Sequence, residues 1–477
     1  MYNHVPDLSL SGINPVFNMI RLLLSVAYIS WLTLLAPQLG AQSRQPTLGE
    51  LWYDVERGYS GIAASEAAIT SALSNERAVK SEALPQARIQ LQNTFSTYDG
   101  RNGAFFPQPG FFNVSGNMLH TGEASVIANT FASATIEWEL FAFGKQHKRK
   151  LAASEMSARY SLEKEAYVLR LKKEFSVRYI KLLYTESKRI WAAKNARRLG
   201  EIGVTAASLA RAGIKPEADS LLARSSYLQA MAEQDKWLGN RNASLEKFRE
   251  FYRNAKPDLL FSERRFAHPP LMENERVRMD KMHPFTEVLR KKSSYYKIKG
   301  TAETRSGLPS VKFLGGFAYR GSGIDADGNV SGNWADGFSN TADNFIVGIG
   351  ITWDLTGMRT YREKGRMWNY KAREHQMLQQ QAEEALRAGY AATLSKRTEQ
   401  QKQLRKTEQA LKNAGQAYEM YMARYRSGLI SLTELLQIRM LLEQAENSHI
   451  EAVQEYWMQV AEQAELTADF DFLFNSL

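Results

Sequence analysis

Trp138-Glu139-Leu140 recurs as Trp353-Asp354-Leu355, a separation of 353 − 138 = 215 that other pairs along the chain keep. Gly213 recurs as Gly428, each with an acid six residues on, Asp219 and Glu434. Arg224, Gln229 and Ala230 recur as Arg439, Gln444 and Ala445. Upstream, Leu84-Pro85 answers to Leu308-Pro309 at 308 − 84 = 224, the difference falling in the loops between. A constant offset held from Trp138 to Ala445 makes the chain two copies of one unit. That overrides a count taken from length, since 477 residues alone suggest about three ordinary domains. The expected organisation is a first repeat over 42–255, a connection over 256–283 carrying Pro257, Pro269 and Pro270, and a second repeat over 284–477 that opens at Pro284.

Residues 1–41 precede the repeats and read as a signal peptide. Arg21 stands before the apolar run Leu22 to Ala36, and Pro37, Gly40 and Ala41 follow. A positive flank, an apolar stretch of roughly 15 residues and a small-residue exit describe a secretory leader, too short for a membrane-spanning helix. Cleavage is placed after Ala41. Translation from Met1 or from Met19 and an uncleaved N-terminal anchor stay open. After residue 42 there is no apolar run of spanning length, so a mature chain that crosses a membrane must do so with strands.

Each repeat reads as helix, strand, loop, strand, long helix, second helix. In the first, Thr47 can cap a helix carrying Leu51, Val55, Ile62 and Ile69 that ends before Pro85. The period then switches to two. Ala87, Ile89, Leu91 and Phe95 alternate with Gln86, Arg88, Gln90 and Gln92, and Val126, Ala128, Ala132, Ala134, Ile136, Trp138 and Leu140 alternate with Asn129, Ser133, Thr135, Glu137 and Glu139. The second repeat keeps the parity with Val311, Phe313, Phe317 and Tyr319, then Phe345, Val347, Ile349, Ile351 and Trp353. Half-buried strands of a soluble sheet alternate in this way. Strands of roughly 10–15 residues in an exported chain also suit a tilted barrel wall, with Trp138 and Trp353 in an aromatic girdle at the strand ends. Four strands cannot close a barrel, so a membrane sheet of this kind requires more than one copy, and three copies supply twelve strands.

No proline falls between Lys145 and Ala210, or between Tyr361 and Arg426, so each stretch can run as a helix of ~100 Å at 1.5 Å per residue. Leu404, Leu411, Ala414, Tyr418, Tyr421 and Tyr425 follow a coiled-coil spacing. Gly213 and Gly428 mark reversals into returning helices, Pro216–Arg253 and Leu432–Glu465. The fold class is therefore mixed, long antiparallel helical hairpins plus four long alternating β-strands per chain.

The leader, the duplication, Leu-Pro before the first strand, Trp-x-Leu at the end of the second, and hairpins tipped by Gly with an acid six residues on together resemble the TolC-type outer-membrane efflux protein family over about 46–470. The resemblance implies a mixed α/β membrane protein, a homotrimer in the outer membrane whose four transmembrane β-strands per chain close a 12-stranded β-barrel above an α-barrel that extends into the periplasm. It implies a passive exit duct of a tripartite efflux pump or type I secretion system, docking a periplasmic adaptor and an inner-membrane transporter through the tips at Gly213 and Gly428. It also implies a periplasmic gate. The family's gate tyrosine, three residues before the second tip glycine, matches Tyr425, and its acids six residues after each tip glycine match Asp219 and Glu434. A further family acid falls on Gln437 and a basic residue on Ile430, which departs from a double acidic ring and a basic link. Glu434 and Asp219 equally suit helix N-terminal charges, and Tyr425 equally suits the coiled-coil seam. A periplasmic structural or adaptor coiled-coil protein is the competing class; it accounts for the helices but not for the duplicated strands.

Other constellations are weak. Asp325-Ala-Asp327-Gly-Asn329 begins like a calcium loop, but no Glu follows at the required spacing, so it reads as a turn. Phe105, Phe106, Phe111 and Phe112 suit a loop folded on itself or a plug at the outer mouth, and Lys145, His147, Lys148, Arg149 and Lys150 a basic collar below the strands. The seven histidines lack metal spacing, no phosphate loop or hydrolytic triad assembles, and cysteine is absent. Neither enzyme, cofactor nor metal site is expected. The net charge of +10 is spread along the chain, which does not point to nucleic acid.

Overall fold

The computed structural model describes residues 46–97, 126–253, 263–272 and 282–477, apart from 326, 328 and 329. The leader, the four phenylalanines of the first long loop and Pro257 lie outside these residues. The chain divides into two compact units, one of Met1–Pro46 with Lys256–Phe261, of which only Pro46 is described, and one of Thr47–Ala255 with Ser262–Leu477. The second holds every element below.

The first repeat opens with α1 (Leu48–Gly58) and α2 (Ser60–Ser81). Thr47 caps α1 in a capping box with Glu50, as the sequence suggests. The single helix expected up to Pro85 is instead broken at Tyr59, whose backbone is extended. Gly58 immediately before it weakens the helix there, and the break lets the Tyr59 ring stack on Phe251 at 5.4 Å. Strands β1 (Gln86–Thr97) and β2 (Val126–Phe141) follow, then the 67-residue α3 (Lys145–Arg211) and its return, α4 (Glu217–Arg249). The second repeat runs through α6 (Pro284–Arg305), β3 (Ser310–Ser322), β4 (Ala342–Thr352), the 69-residue α7 (Met358–Arg426) and α8 (Leu432–Thr467). Between the repeats lies α5 (Glu263–Ala267), and the chain ends in α9 (Asp471–Ser476). Helix α4 stops four residues short of the expected Arg253, and Trp353 sits one residue beyond β4 instead of inside it.

The strands form one antiparallel meander, β1-β2-β3-β4. Its registers line the alternating apolar positions into rows across all four strands. Ile89 pairs with Ala134, Ala134 with Phe317 and Phe317 with Phe345; one row along, Ala87, Ile136, Gly315 and Val347 align. The other face carries rows such as Gln90, Ser133, Ala318 and Asn344. Because side chains alternate strictly along a strand, a one-residue slip in any pairing would mix the faces. The apolar face is open: Ile89 is 88% exposed, Phe345 84% and Ile351 74%.

The helices carry the buried core. Trp52 of α1 meets Phe175 of α3 at 5.6 Å and Phe474 of α9 at 6.1 Å, and Phe175 meets Phe248 of α4 at 5.3 Å. The connection is strapped to α8: Trp457 donates its indole N–H to the Phe266 carbonyl at 3.0 Å, and Tyr456 donates its hydroxyl to the Pro270 carbonyl at 2.7 Å.

Candidate functional site

The two hairpin ends converge, and their backbones reverse by the same bonds. At the first tip Gly213 has φ of 70°, the Gly213 N–H donates to Ala210 O at 3.0 Å and the Ile214 N–H to Leu209 O at 2.9 Å. At the second, Gly428 has φ of 74°, with Gly428 N–H to Tyr425 O at 2.9 Å and Leu429 N–H to Arg424 O at 3.0 Å. Both are Schellman closures, in which a left-handed residue satisfies the last carbonyls of the helix, and both positions are glycine because a side chain there would be strained. Under the tips one apolar cluster draws on all four helices. Leu199, Ile202 and Ala206 come from α3, Ala223 from α4, Tyr418, Met422 and Tyr425 from α7, and Leu432, Leu435 and Leu442 from α8. The seam residues Leu411, Ala414 and Tyr421 pack against it.

Tyr425 lies fully inside this cluster, and its hydroxyl has no hydrogen-bond partner among the described residues. Burial, with a smaller contribution from the charge of Asp219, raises its pKa above the usual tyrosine value. The fold thus brings Tyr425 and Asp219 within electrostatic reach without a bond between them in one protomer. Asp219 stands in the first turn of α4, which begins at Pro216 with no side-chain cap. Glu434 is the third residue of a capping box: its N–H donates to Ser431 Oγ at 3.2 Å, and its carboxylate accepts from the Ser431 N–H at 2.8 Å. Those bonds to Ser431 hold its pKa below the usual carboxylate range.

A residue passed over in the sequence ties the tips together. Lys215, two after the first tip glycine, donates to the carbonyls of Gly428 at 3.3 Å and Ile430 at 3.1 Å. Its counterpart at 215 residues' offset is Ile430 itself, so the two tips differ at this position, a cation on the first against an apolar side chain on the second. Exposed apolar side chains surround the reversals: Ile214 is 59% exposed and Leu429 71%.

At the opposite end the duplicated motifs touch each other. Trp138 donates its indole N–H to Ala83 O at 3.2 Å, and Trp353 donates to Gly307 O at 3.2 Å. Each acceptor immediately precedes a Leu-Pro pair, so in both repeats the strand's tryptophan is fastened to the turn before the first strand while its ring stays on the apolar face, 40% and 50% exposed.

Across the repeats, basic side chains of α3 meet acids of α8. Arg198 binds Glu446 through two bonds, of 2.8 and 2.6 Å; Lys173 pairs with Glu462 at 2.7 Å and with Glu465; and Lys188 reaches Asn447 and, at 3.4 Å, Glu451. Glu446 is 7% exposed. Lys188 is buried among the rings of Tyr184, Trp191 and Trp237, and the burial depresses its pKa.

Among the described residues no helix is long and apolar enough to cross a membrane, and no acid or histidine group could hold a metal ion. Residues 301–466 match the model of the outer membrane efflux protein family. No curated protein matches the chain. Among solved structures, the outer membrane protein VceC from Vibrio cholerae is similar over 88% of this chain and 96% of its own, with a TM-score of 0.71 at 14% identity. The outer-membrane channel OprN is similar over 89% and 91% with a TM-score of 0.70 at 16% identity, and the Campylobacter jejuni CmeC outer membrane channel over 85% and 82% with a TM-score of 0.69 at 14% identity. With the family pattern in its second repeat and the channel fold across both, the chain bears out the resemblance to the TolC-type outer-membrane efflux proteins.

Proposed function

We infer that the chain is one third of an outer-membrane exit duct, passive in itself, that serves a tripartite efflux pump or a type I secretion system. The observation that carries this is the sheet: strands of 12, 16, 13 and 11 residues, each long enough to cross a bilayer, whose registers put a continuous apolar surface on one face. Among the described strands β1 and β4 each pair on one side only. In lipid an open edge leaves backbone groups unpaired at several kcal/mol each, so β4 of one copy pairs with β1 of the next, and three copies close twelve strands. The hairpins then carry the duct through the periplasm for ~100 Å, and the tips around Gly213 and Gly428 receive the adaptor and, through it, the inner-membrane transporter.

In this trimer Tyr425, Asp219 and Glu434 mark the periplasmic gate. Three Glu434 carboxylates around the axis favour hydrated cations over anions while the end is narrow, and the capping box fixes where each one points. Fractionation and cross-linking test the whole reading: a signal in the soluble periplasm, or a protein that never cross-links beyond a monomer, would sink it. For the gate, Tyr425→Phe combined with Asp219→Ala is expected to raise the conductance of purified trimers in planar bilayers. Unchanged conductance removes those two residues from the gate.

A further inference from the structure

The segment between β3 and β4 does not simply cross from strand to strand. Gly323 N–H donates to Ala128 O of β2 at 2.8 Å, Ser331 N–H donates back to Gly323 O at 2.8 Å, and Ile324 bridges Val330. On the return, Ser322 N–H donates to Ser339 O at 2.9 Å and Asn340 donates its side-chain amide to Ile324 O at 2.6 Å. Asn333 caps a 3-10 turn, Trp334–Phe338, by accepting from Ala335 N–H, and Ser331 binds Asp336. These bonds fix the turn as a flap whose backbone lies flat on the sheet.

The face on which it lies is decided by Gly321. A Cβ at that position would stand 2.3 Å from the Gly337 carbonyl oxygen, so the flap sits where the Gly321 side chain would have been. Gly321 is opposite Thr130, and Ala132 two residues on is opposite Tyr319, so the covered face is the one that carries Ile136, Phe317 and Phe345. Below the flap Ala128 and Thr130 are buried. Above it, Trp334 is 61% exposed and Phe338 45%, their rings 6.1 Å apart in a T-shaped contact.

The height of the flap matches a lipid boundary. From Trp138, near the helix end of β2, to Ala128 under the flap is about ten residues, ~33 Å along the strand. At the 35–45° tilt of barrel strands this projects to roughly 25 Å, the thickness of the apolar band between the two aromatic girdles of such barrels. The strands supply tryptophan at the helix end only.

We propose that Trp334 and Phe338 form the outer girdle of the barrel, a loop-borne aromatic pair seated at the headgroup boundary of the outer leaflet, while Trp138 and Trp353 hold the inner boundary. Indole and phenyl rings on an anchored flap suit that layer because one side of it is apolar and the other wet. The proposal rests on the lipid-facing reading of the sheet given above, and its test separates the two.

The chain has no cysteine, so Trp334→Cys, Phe338→Cys and Phe345→Cys each give a single thiol for an environment-sensitive fluorophore. Labelled trimers are placed in phosphatidylcholine vesicles carrying a nitroxide either on the headgroup or deep in the acyl chain. Labels at 334 and 338 are expected to be quenched by the headgroup nitroxide roughly twofold more than by the deep one, and the label at 345, whose row through Phe317 and Ala134 lies midway between Trp138 and Ala128, in the reverse order. Quenching of the 334 and 338 labels by aqueous iodide alone, or shielding from every quencher by another part of the protein, overturns the girdle if position 345 still reports lipid. No nitroxide effect at any of the three positions overturns the girdle and the lipid-facing sheet together.

Discussion

The two hairpins share a backbone and differ in their seams. Both long helices end in the same Schellman closure at positions 215 apart, and both strand tryptophans bind the carbonyl before a Leu-Pro pair. Yet the positions through which α3 grips α8 have no charged counterpart on α7. Lys173, Lys188 and Arg198 become Ala388, Gln403 and Asn413, and across the groove Glu446, Glu451 and Glu462 answer to Met231, Lys236 and Lys247 of α4. Residues that dictate chain direction are duplicated, whereas residues that choose a neighbour are not. In the proposed trimer the contact corresponding to α3 against α8 is α7 against α4 of the next copy. The seam inside a protomer is then held by ion pairs that the seam between protomers does not repeat at the matching positions, which distinguishes the two contacts of otherwise equal units.

The strongest break of this comparison is Arg198→Met. It strips the bidentate partner from a nearly buried Glu446, leaving Lys194 at 3.3 Å with most of its side chain in solvent. Unpairing a buried carboxylate costs about 3 kcal/mol, so the thermal midpoint of the detergent-solubilised protein is expected to fall by several degrees. Asn413→Met, at the matching place on α7, is expected to change stability by less than about 0.5 kcal/mol and leave the midpoint nearly where it was. Equal effects would mean that the charge asymmetry carries no stability.

Gly213→Ala and Gly428→Ala come next. Each forces a side chain into the left-handed region, at roughly 1–2 kcal/mol, and the two losses should agree within error because the closures are the same. Ser431→Ala then separates the tips. It removes the side-chain cap of α8 at about 1 kcal/mol, whereas α4 starts at Pro216 and has no such cap to lose. Hydrogen exchange in the first turns of α4 and α8 reads the difference directly.

These contrasts also explain what the sequence makes legible. Glycine, proline, tryptophan and the switch between periods of two and 3.6 record backbone direction, so the repeat, the strand faces and the hairpin ends can be read from them. The Ser431 to Glu434 spacing is a capping box in plain view, although the same glutamate also invites a gate reading. The pairing of Arg198 with Glu446 leaves no such mark. On a helix of 67 residues every cation resembles a solvated one, and its partner lies 248 residues away. The Tyr59 break shows only as Gly58. The flap over Gly321 is invisible to periodicity because the alternation carries no mark of where a loop folds back. Lys215 leaves only a faint mark: the duplication sets it against the apolar Ile430, and nothing in the spacing says which carbonyls a cation there would reach.

Acid offers a smaller discrimination between the hairpins. His375 on α7 and His449 on α8 both have pKa values held below the usual imidazole range, chiefly by burial. His375 stacks on Tyr296 at 5.2 Å, and His449 Nδ1 lies 3.2 Å from the Thr407 hydroxyl. A depressed value means the folded state prefers the neutral ring. Their contribution is complete above the unfolded value of ~6.5 and is lost as pH falls through the lower folded values. The first hairpin buries no such histidine among its described residues. Exchange protection in α7 and α8 is therefore expected to weaken as pH falls below about 6.5 while that of α3 and α4 holds, and His449→Gln should flatten the response near Thr407.

The smallest effect expected is the most local. Lys215→Met keeps the length and the apolar stem of the side chain but removes the ammonium that joins the first tip to the carbonyls of Gly428 and Ile430. The group is partly solvated and its acceptors can turn to water, so global stability should shift by no more than about 0.5–1 kcal/mol. What changes is the relation between the tips. With the bond present, the second tip can move only if the first moves with it; without it, the second hairpin pivots on the apolar cluster alone. Single-channel records in planar bilayers should then show more frequent openings of unaltered full conductance. Lys215→Arg, which can still reach both carbonyls, should restore the parent pattern. If Lys215→Met gates like the parent, the two ends are coupled through the cluster beneath them, and the tie is incidental to gating.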